Sequence, residues 1–310
     1  MCIRDRVAIA PFDGIFSAHG MVLRPREDVI DKSFFPLFIS SDYFLDAAIK
    51  ISVGSLSPTI NWRDLKTLEF ELPDLATQRK LAETLWSIND TMETYKKLIA
   101  ATDELVKSQF VELFGDPVTN TQGREVRPFK DFMLDIRYGT SQPPTFNELG
   151  EFKFIRATNI KAGRITENGM LRISADEAAK IEKCRLNGNE IIIVRSGANT
   201  GDTCVVTDEY RDQYAGYDII VTLNLEIANP VFFNELMNTH YMQAIIKPLT
   251  VRAAQPHINS EQVQNLPMLV VPLQEQEQFA TFVRQSDKSK LLISRLEEFT
   301  LMDYRGHGKM

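Results

Sequence analysis

The sequence has few of the residues that build covalent or metal-bound frameworks. Only three cysteines and four histidines occur among 310 residues. Three is an odd number, no Cys-x-x-Cys spacing is present, and the histidines lie far apart along the chain. The sequence therefore predicts neither a disulfide framework nor a structural zinc site.

Long hydrophobic runs are missing as well. The longest apolar stretches, at residues 191–194 and 219–221, have the length of a strand, and a membrane span needs roughly 18 apolar residues. Hydrophobic residues make up 44% and charged residues 25% of the chain, which is ordinary for a globular protein. We expect a cytoplasmic protein of about two domains with no membrane partner.

An excess of basic residues is the third absence, because the formal net charge is −7. This charge excludes a uniformly basic surface, which is the usual footprint of a DNA-binding protein. It does not exclude a local basic patch. Partners in a larger assembly can also supply part of the phosphate contact.

One long internal repeat organises the chain, at an offset of 198 residues. The register holds from about Phe34 to Ala82, and the repeating unit is a domain followed by a helix. Two copies imply a pseudo-twofold molecule, so both copies should bind related ligands. The matched residues include Phe34-Phe35 with Phe232-Phe233, Tyr43 with Tyr241, Pro58, Ile60 and Asn61 with Pro256, Ile258 and Asn259, and Gln78 with Gln276.

The same offset makes the first copy look incomplete. The second copy begins near Pro128-Phe129, which places the start of the first copy roughly 70 residues before Met1. The opening segment, residues 1–6, has no signature of a helix or strand. We therefore expect that about 70 to 80 residues of the first copy are absent from this chain.

After Pro73 the pattern becomes helical. Ten positions follow a 4-3 spacing, and eight of them are apolar: Leu81, Leu85, Ile88, Met92, Tyr95, Ile99, Thr102, Val106, Gln109 and Leu113. Asp74 is the predicted N-cap, and Gly115-Asp116-Pro117 ends the helix. Such a seam needs a partner helix. Residues 274–303 supply one, with core candidates Phe279, Phe282, Val283, Leu291, Leu296 and Phe299.

Residues 128–272 are rich in predicted strands bounded by Gly, Asn and Pro. The predicted fold is α+β, with duplicated, strand-rich mixed α/β domains separated by long helices that pair as an antiparallel coiled coil. The predicted organisation is a first-domain remnant at 1–72, a central helix at 73–115, a linker at 116–127, a complete second domain at 128–272, a C-terminal helix at 273–304 and a tail at 305–310.

Three motifs carry a family resemblance. Residues 72–79, Leu-Pro-Asp-Leu-Ala-Thr-Gln-Arg, and residues 271–276, Val-Pro-Leu-Gln-Glu-Gln, resemble the "PL-x-EQ" segment that opens the conserved helices of type I restriction-modification specificity subunits. Thr77 replaces the usual Glu in the first copy. Residues 195–201, Arg-Ser-Gly-Ala-Asn-Thr-Gly, resemble the glycine-bearing loop of that family's target-recognition domains, and residues 255–259 resemble its "QP-x-IN" segment.

The resemblance implies a non-catalytic subunit without a cofactor. Its target-recognition domains would read a bipartite double-stranded DNA target, and its helices would dock methyltransferase (modification) and motor-nuclease (restriction) subunits. Glycines let backbone amides approach phosphates, while Arg and Asn can read base edges. The residues expected to contact DNA are Arg195, Ser196, Asn199 and Thr200 in the glycine loop, Thr140, Ser141 and Gln142 in a second loop, and Arg156, Asn159 and Lys161 after a strand.

Other interpretations stay open at this stage. Each loop is also typical of a plain surface turn, and the histidine at position 257 is typical of a structural residue. The chain could be the specificity part of a fused restriction-methyltransferase enzyme, or a helical scaffold that binds no DNA. Asn229-Pro230-Val231-Phe232 faintly resembles an adenine-methyltransferase motif, but the repeat predicts a helix start there, and no Asp…Glu-x-Lys nuclease set is present.

Overall fold

The computed structural model describes residues 7–10, 12–17, 20–53, 59–115, 119–120, 122–250 and 256–307, with side chains up to residue 296. The chain divides into two units, unit 1 comprising Met1–Ile99 and Leu292–Met310, and unit 2 comprising Ala100–Leu291. Several positions of the predicted motifs lie outside the described residues: residues 1–6, Pro58, Asp116, Pro117 and Gln255. The predicted domain boundaries stay a prediction.

Unit 1 is helical in its described part. Three short helices precede a long one: α1 (Phe35–Ser40), α2 (Asp42–Lys50), α3 (Trp62–Leu65) and α4 (Leu75–Phe114), of which α4 continues into unit 2. Aromatic rings hold the short helices together, with Phe38 and Phe70 5.2 Å apart between centroids and Phe44 stacked on Phe70 at 5.3 Å. Such ring pairs supply both apolar burial and a preferred geometry.

Unit 2 contains all the named strands. Its four-stranded antiparallel sheet has the order β2-β10-β7-β8, with β2 at Met133–Tyr138, β7 at Ile191–Ile193, β8 at Thr203–Val205 and β10 at Ile219–Leu223. A three-stranded sheet has the order β6-β3-β9, with β3 at Phe152–Ile155, β6 at Leu171–Ile173 and β9 at Tyr214–Ala215. Two pairs complete the strands: β1 (Val126–Pro128) with β11 (Pro267–Leu269), and β4 (Ile160–Lys161) with β5 (Arg164–Ile165).

Helices cover these sheets and close the main core. They are α5 (Ala175–Lys180), α6 (Pro230–Asn238), α7 (His240–Thr250), α8 (Ser260–Gln264) and α9 (Leu273–His307), the last of which continues into unit 1. The triple isoleucine of β7 is fully buried because both of its faces are covered, which explains a continuous apolar run in place of an alternating one. The mixed α/β architecture with long helices confirms the predicted fold class.

Residues 230–250 form two helices. The chain breaks between them at Thr239, whose backbone is extended. The Thr239 hydroxyl donates to the Leu236 carbonyl at 2.6 Å and accepts from the Met242 amide at 3.3 Å. Thr239 therefore ends α6 and caps α7, a side-chain role that hydrophobic periodicity does not reveal.

The duplication is confirmed in the bounds of the elements. Helices α2, α3 and α4 begin at residues 42, 62 and 75, and α7, α8 and α9 begin 198 residues later, at residues 240, 260 and 273. The break between α6 and α7 is repeated too, because Ser41 caps α2 through a hydroxyl that accepts from the Phe44 amide at 3.3 Å. The two units thus repeat one chain path over this stretch.

A buried glutamine explains the "PL-x-EQ" motif in both copies. In unit 2 the Gln276 amide accepts from the Asn229 backbone N–H at 2.8 Å and donates to the carbonyls of Ile227 and Val271 at 3.0 and 2.7 Å. In unit 1 the Gln78 amide accepts from the Asp31 N–H at 2.8 Å and donates to the carbonyls of Val29 and Pro73 at 3.2 and 2.8 Å. All three partners correspond at the offset of 198.

The residue whose backbone N–H donates to this glutamine also accepts hydrogen bonds, through its side chain, from the amides that follow it. Asn229 accepts from the amides of Val231 and Phe232 at 3.0 and 3.4 Å, with Pro230 in the first turn of α6. Asp31 accepts from the amides of Ser33 and Phe34 in the same way, at 2.9 and 3.3 Å. The prediction of a helix start at Asn229-Pro230, in preference to a methyltransferase motif, is confirmed.

Within unit 2 the two long helices run antiparallel. Lys290 of α9 contacts Asp103 of α4 at 2.6 Å, whereas Phe279 packs against Phe110 and Phe114, both with centroids 5.5 Å away. Residue numbers therefore rise along α4 as they fall along α9. This geometry confirms the predicted antiparallel pairing for the described part of unit 2.

The predicted register of the seam is wrong at its C-terminal end. The strict 4-3 spacing selects Gln109 and Leu113, yet Leu113 is 43% exposed, while Phe110 and Phe114 are buried. Phe110 also stacks on Phe232 of α6 at 5.6 Å. A straight helix drifts against a seven-residue repeat, and the aromatic core of the second domain draws the buried stripe one residue onward.

Polar contacts fasten the β4–β5 hairpin to the helix pair. Arg164 of β5 pairs with Asp287 of α9, and the nearly buried Lys290 reaches both Asp287, at 3.1 Å, and Asp103. Arg164 belongs to the polar run that follows β3 in the sequence. Because its guanidinium pairs with Asp287 of α9, Arg164 helps to hold the β4–β5 hairpin against the helix pair.

We expect Gln276→Leu to lower the free energy of unfolding by about 3 kcal/mol or more, because three buried backbone groups lose their partner. The measurement is urea unfolding followed by circular dichroism. The control is Gln274→Leu, the same change at an exposed site on the same helix, which should alter stability by no more than about 0.5 kcal/mol. Equal effects of the two changes would contradict the assigned role of Gln276.

The seam register is tested by two neighbouring substitutions. Val106 is 4% exposed and Leu105 is 52% exposed. Val106→Asp places an unpaired charge in the core and should cost roughly 3–5 kcal/mol. Leu105→Asp should stay within about 0.5 kcal/mol of the unchanged chain. The thermal midpoints of the two variants give the comparison, and similar midpoints would refute the assigned register.

Candidate nucleic-acid interface

One end of the four-stranded sheet collects the segments that the sequence singles out. Ile219, the first residue of β10, pairs with Tyr138, the last of β2, and with Ile193, the last of β7. Neighbouring strands are antiparallel, so the loops that follow β2 and β7 leave from the same edge. These are residues 139–150 and 194–202, which contain seven of the ten predicted contact residues.

A buried carboxylate ties the two loops together. The Asp218 backbone carbonyl accepts from the Gly139 N–H at 2.9 Å, and its Oδ1 accepts from the Arg195 N–H at 3.1 Å. Asp218 is only 3% exposed. Burial raises the pKa of its carboxyl to about 6, against the hydrogen bond from the Arg195 N–H and the positive charge of Arg195, which lower it.

Two aromatic rings contact the Arg195 guanidinium. Its guanidinium carbon lies 4.4 Å from the ring centroid of Tyr138 and 4.4 Å from that of Tyr217. One terminal nitrogen is 3.4 Å from Nε2 of His257. We name Arg195, Tyr138, Tyr217 and His257 the arginine clamp. Cation–π contacts of this kind fix the plane of the guanidinium.

The glycine loop has a defined turn geometry. Gly197 and Gly201 have φ of +95° and +93°, the left-handed region that disfavours other residues. A Cβ at Gly201 would lie 2.5 Å from Ile246, so this glycine also permits close packing on α7. The Thr200 hydroxyl donates to the Gly197 carbonyl at 2.6 Å and therefore closes the turn from inside. Both the turn and the packing restrict the loop to one conformation.

The loop after β2 is ordered by a threonine. Thr140 is nearly buried, and its hydroxyl donates to the Gln142 carbonyl at 2.8 Å and accepts from the Gln142 N–H at 3.2 Å. Ser141 and the Gln142 side chain are exposed. A Cβ at Gly139 would lie 1.6 Å from the Gly216 carbonyl oxygen, so this loop lies directly on the chain that leads to Asp218.

The third predicted group is only partly joined to the other two. The Asn199 amide donates to the Ala157 carbonyl at 3.5 Å, which links the glycine loop to the turn after β3. Asn159 in that turn is fully buried, and its amide donates to the Thr166 and Asn168 carbonyls at 3.3 and 3.1 Å. The Asn159 side chain therefore holds the turn together and is closed to DNA in this conformation.

The two basic residues of this group differ in their surroundings. Arg156 is half-buried, and its Nη2 donates to the Gly169 carbonyl at 2.8 Å. Lys161 is exposed on β4. Ser196, in the glycine loop, is half-buried and pairs through its backbone with His257.

Sequence reasoning missed the residues that frame Arg195. Tyr138 ends β2, Tyr217 precedes Asp218 at the start of β10, and His257 was interpreted as structural. A tyrosine at a strand end beside a polar loop is the available signal, and it is weak because half-buried tyrosines are common. The "QP-x-IN" interpretation holds in its described part: the Ile258 N–H donates to the Arg195 carbonyl at 3.0 Å, and Asn259 caps α8.

Neither a membrane-spanning helix nor a metal-binding cluster is found among the described residues. No helix there is long and apolar enough to cross a membrane. No group of three or more His, Cys, Asp or Glu side chains in the same part of the chain is arranged to hold a metal ion.

Comparison with known families decides the assignment. The sequence profile of the type I restriction modification DNA specificity domain matches residues 6–102 and 125–298. The chain belongs to this family. The two matched ranges each contain one copy of the repeat, so the family assignment and the duplication agree.

Individual relatives are distant. The type I restriction enzyme EcoKI specificity subunit of Escherichia coli (strain K12) is 21% identical over 295 residues, which cover 89% of this chain and 62% of that protein. The chain thus spans less than two thirds of the length of this curated relative.

Solved structures of this family share the fold. The S subunit of a type I restriction-modification system from M. genitalium has a TM-score of 0.59 at 15% identity, covering 91% of this chain and 73% of that one. The HsdS subunit from Thermoanaerobacter tengcongensis has a TM-score of 0.45 at 16% identity, covering 93% and 70%. The first of these likenesses supports the fold assignment.

The raised pKa of Asp218 predicts a pH-dependent stability. An aspartate in an unfolded chain titrates near 3.9, so the folded protein binds the proton more tightly than the unfolded chain. Stability should then fall as pH rises from about 4 to about 6, by up to about 3 kcal/mol in total. Asp218→Asn keeps an acceptor for the Arg195 N–H and should remove this loss, so the variant should be more stable at pH 7.5.

Urea unfolding at pH 4.5 and pH 7.5 measures this difference. The control is Asp131→Asn, at an exposed position of the same domain. This variant should show the same dependence of stability on pH as the unchanged chain. An Asp218→Asn profile that matches the control would contradict the buried, proton-binding carboxyl.

Proposed function

We propose that this chain is the DNA-sequence-reading subunit of a type I restriction-modification complex and performs no chemistry itself. The observation that carries the proposal is the convergence of two polar loops on Asp218 at one sheet end, in a chain whose two copies both match the specificity family. A rigid pair of loops at a strand edge is a typical support for recognition residues.

In this proposal residues 128–272 form the complete reading surface. The exposed or half-buried side chains of Ser141, Gln142, Arg195 and Asn199 face base edges. Thr140, Ser196 and Thr200 fix the loops that carry them. Arg156 and Lys161 border the surface as phosphate contacts, whereas the buried Asn159 holds its turn and is left out of the contact set.

The proposed organisation follows the repeat. Residues 1–72 belong to a first target-recognition domain. The helices within 73–115 and 273–304 hold the domains and dock the methyltransferase and restriction subunits. Double-stranded DNA is the ligand, and no cofactor is needed for reading. Catalysis belongs to the docked subunits.

The acidic balance of residues 128–272, with 14 Lys and Arg against 17 Asp and Glu, is compatible with this surface. Several of these acids are paired at other places: Asp208 with Arg211, Glu182 and Asp212 with Arg185, and Glu167 and Glu209 with Lys153. These five acids share three bases, so the pairs offset part of their negative charge.

The proposal is tested with the full chain in complex with its methyltransferase subunits. The complex should enrich a defined sequence from a random duplex library. Lys161→Ala should weaken binding to all duplexes about equally and reduce the slope of log K against log salt by about 1. The control is Lys183→Ala, the same change at an exposed lysine outside the two loops. The backbone carbonyl of Lys183 accepts a hydrogen bond from the Arg137 side chain.

One outcome would contradict the proposal, and a second would contradict the role of Lys161. A wild-type complex that enriches no sequence, although it binds its methyltransferase subunits, would show that the chain is not the reader. Equal salt slopes for Lys161→Ala and Lys183→Ala would remove Lys161 from the phosphate border.

A further inference from the structure

The arginine clamp restricts the contacts that remain open to Arg195. Its guanidinium lies against two rings, those of Tyr138 and Tyr217. Its Nε is buried and has no hydrogen-bond partner in the part of the chain that the structure describes. One terminal nitrogen lies 3.4 Å from Nε2 of His257. The edge that carries the two terminal nitrogens is what remains for a ligand.

The clamp lies at the surface and is anchored from below. Tyr217 is 42% exposed, so one wall of the clamp is open to an incoming partner. The Tyr138 hydroxyl accepts from the Ser260 N–H at 2.8 Å and donates to the Ser260 hydroxyl at 3.0 Å. The N–H of Arg195 is bound by Asp218 and its carbonyl by Ile258. Backbone and side chain are therefore both fixed before any ligand binds.

Burying Nε without a partner costs free energy, and placing the guanidinium against two rings restricts the other ways in which the arginine can bind. A mobile surface arginine would meet a phosphate equally well with none of this cost. A fixed plane with two parallel N–H donors at its end matches a ligand with two acceptors side by side in one plane. In the major groove, O6 and N7 of guanine form such a pair.

We propose that Arg195 reads one guanine of the DNA target through its terminal edge, and that Tyr138 and Tyr217 are positioning residues that fix the plane of this contact. The inference rests on the proposed function. It adds the base that is read and the residues that set the geometry. A phosphate contact by the same guanidinium is the competing assignment, and it predicts equal weakening for all sequences.

The experiment uses the full chain in complex with its methyltransferase subunits and the duplex that the wild-type complex selects from a random library. Each guanine of that duplex is replaced in turn by 7-deazaguanine, which removes N7 and keeps the base pair. One replacement should weaken wild-type binding about tenfold. The same replacement should have no further effect on Arg195→Ala, which removes the donors that would reach N7.

Arg185→Ala is the matched control, because Arg185 is exposed and paired with Glu182 and Asp212 away from the clamp. It should keep the full effect of the replaced guanine. Tyr217→Leu should reduce the discrimination between guanine and 7-deazaguanine severalfold without changing the salt slope, and Tyr217→Phe, which keeps the ring, should restore it. Circular dichroism and binding of the methyltransferase subunits show that each variant is folded.

The outcomes separate the two proposals. If the wild-type complex selects no sequence, the proposed function fails. If it selects a target but the 7-deazaguanine effect persists in Arg195→Ala, another residue reads that base and the inference about Arg195 is overturned. If Arg195→Lys and Arg195→Ala weaken all duplexes equally, the guanidinium contacts phosphate. If Tyr217→Leu keeps full discrimination, the ring has no positioning role.

Discussion

A buried glutamine amide at the start of each long helix is the constraint on which the architecture depends. Gln276 satisfies an N–H and two carbonyls of the preceding domain, and Gln78 does the same in the first copy. Those groups would otherwise be buried without partners, which is costly. A helix that is bound at its first turn by three directional contacts has a fixed origin and direction. The apolar contacts along the seam then stabilise a helix direction that the glutamine amide has already fixed.

In unit 2 the seam between α4 and α9 connects the long helices to the core of the strand-rich domain. Phe110 and Phe114 of α4 meet Phe279 of α9 and Phe232 of α6, so the helix pair and the domain share one apolar core. The same core reaches the buried side chains of β7 and β10. Since β7 leads into the glycine loop and β10 begins directly after Asp218, the position of the loops depends on packing that begins in the long helices. Support of this kind is what a precise recognition site needs.

Much of the fold could be predicted from the sequence, because a repeat and apolar periodicity are local, additive signals. The offset of 198 and the starts of the long helices followed from them. Two other features depend on tertiary contacts that no spacing records: the shift of the seam from Leu113 to Phe114, and the enclosure of Arg195 by Tyr138 and Tyr217. Asn159 shows the reverse error, since an exposed-looking polar run in sequence contains a fully buried amide.

The charge of the chain restricts how the proposed reading surface works. Asp218 lies against Arg195 and offsets its charge, and residues 128–272 carry more acids than bases, so the domain has little electrostatic pull of its own. Non-specific affinity for DNA scales with the number of neutralised phosphates, and few such contacts are available here. Discrimination between bases depends instead on donors held in fixed positions. A domain of this composition therefore suits the proposed reading role, in which fixed donors supply selectivity and the proposed partner subunits supply most of the phosphate contact.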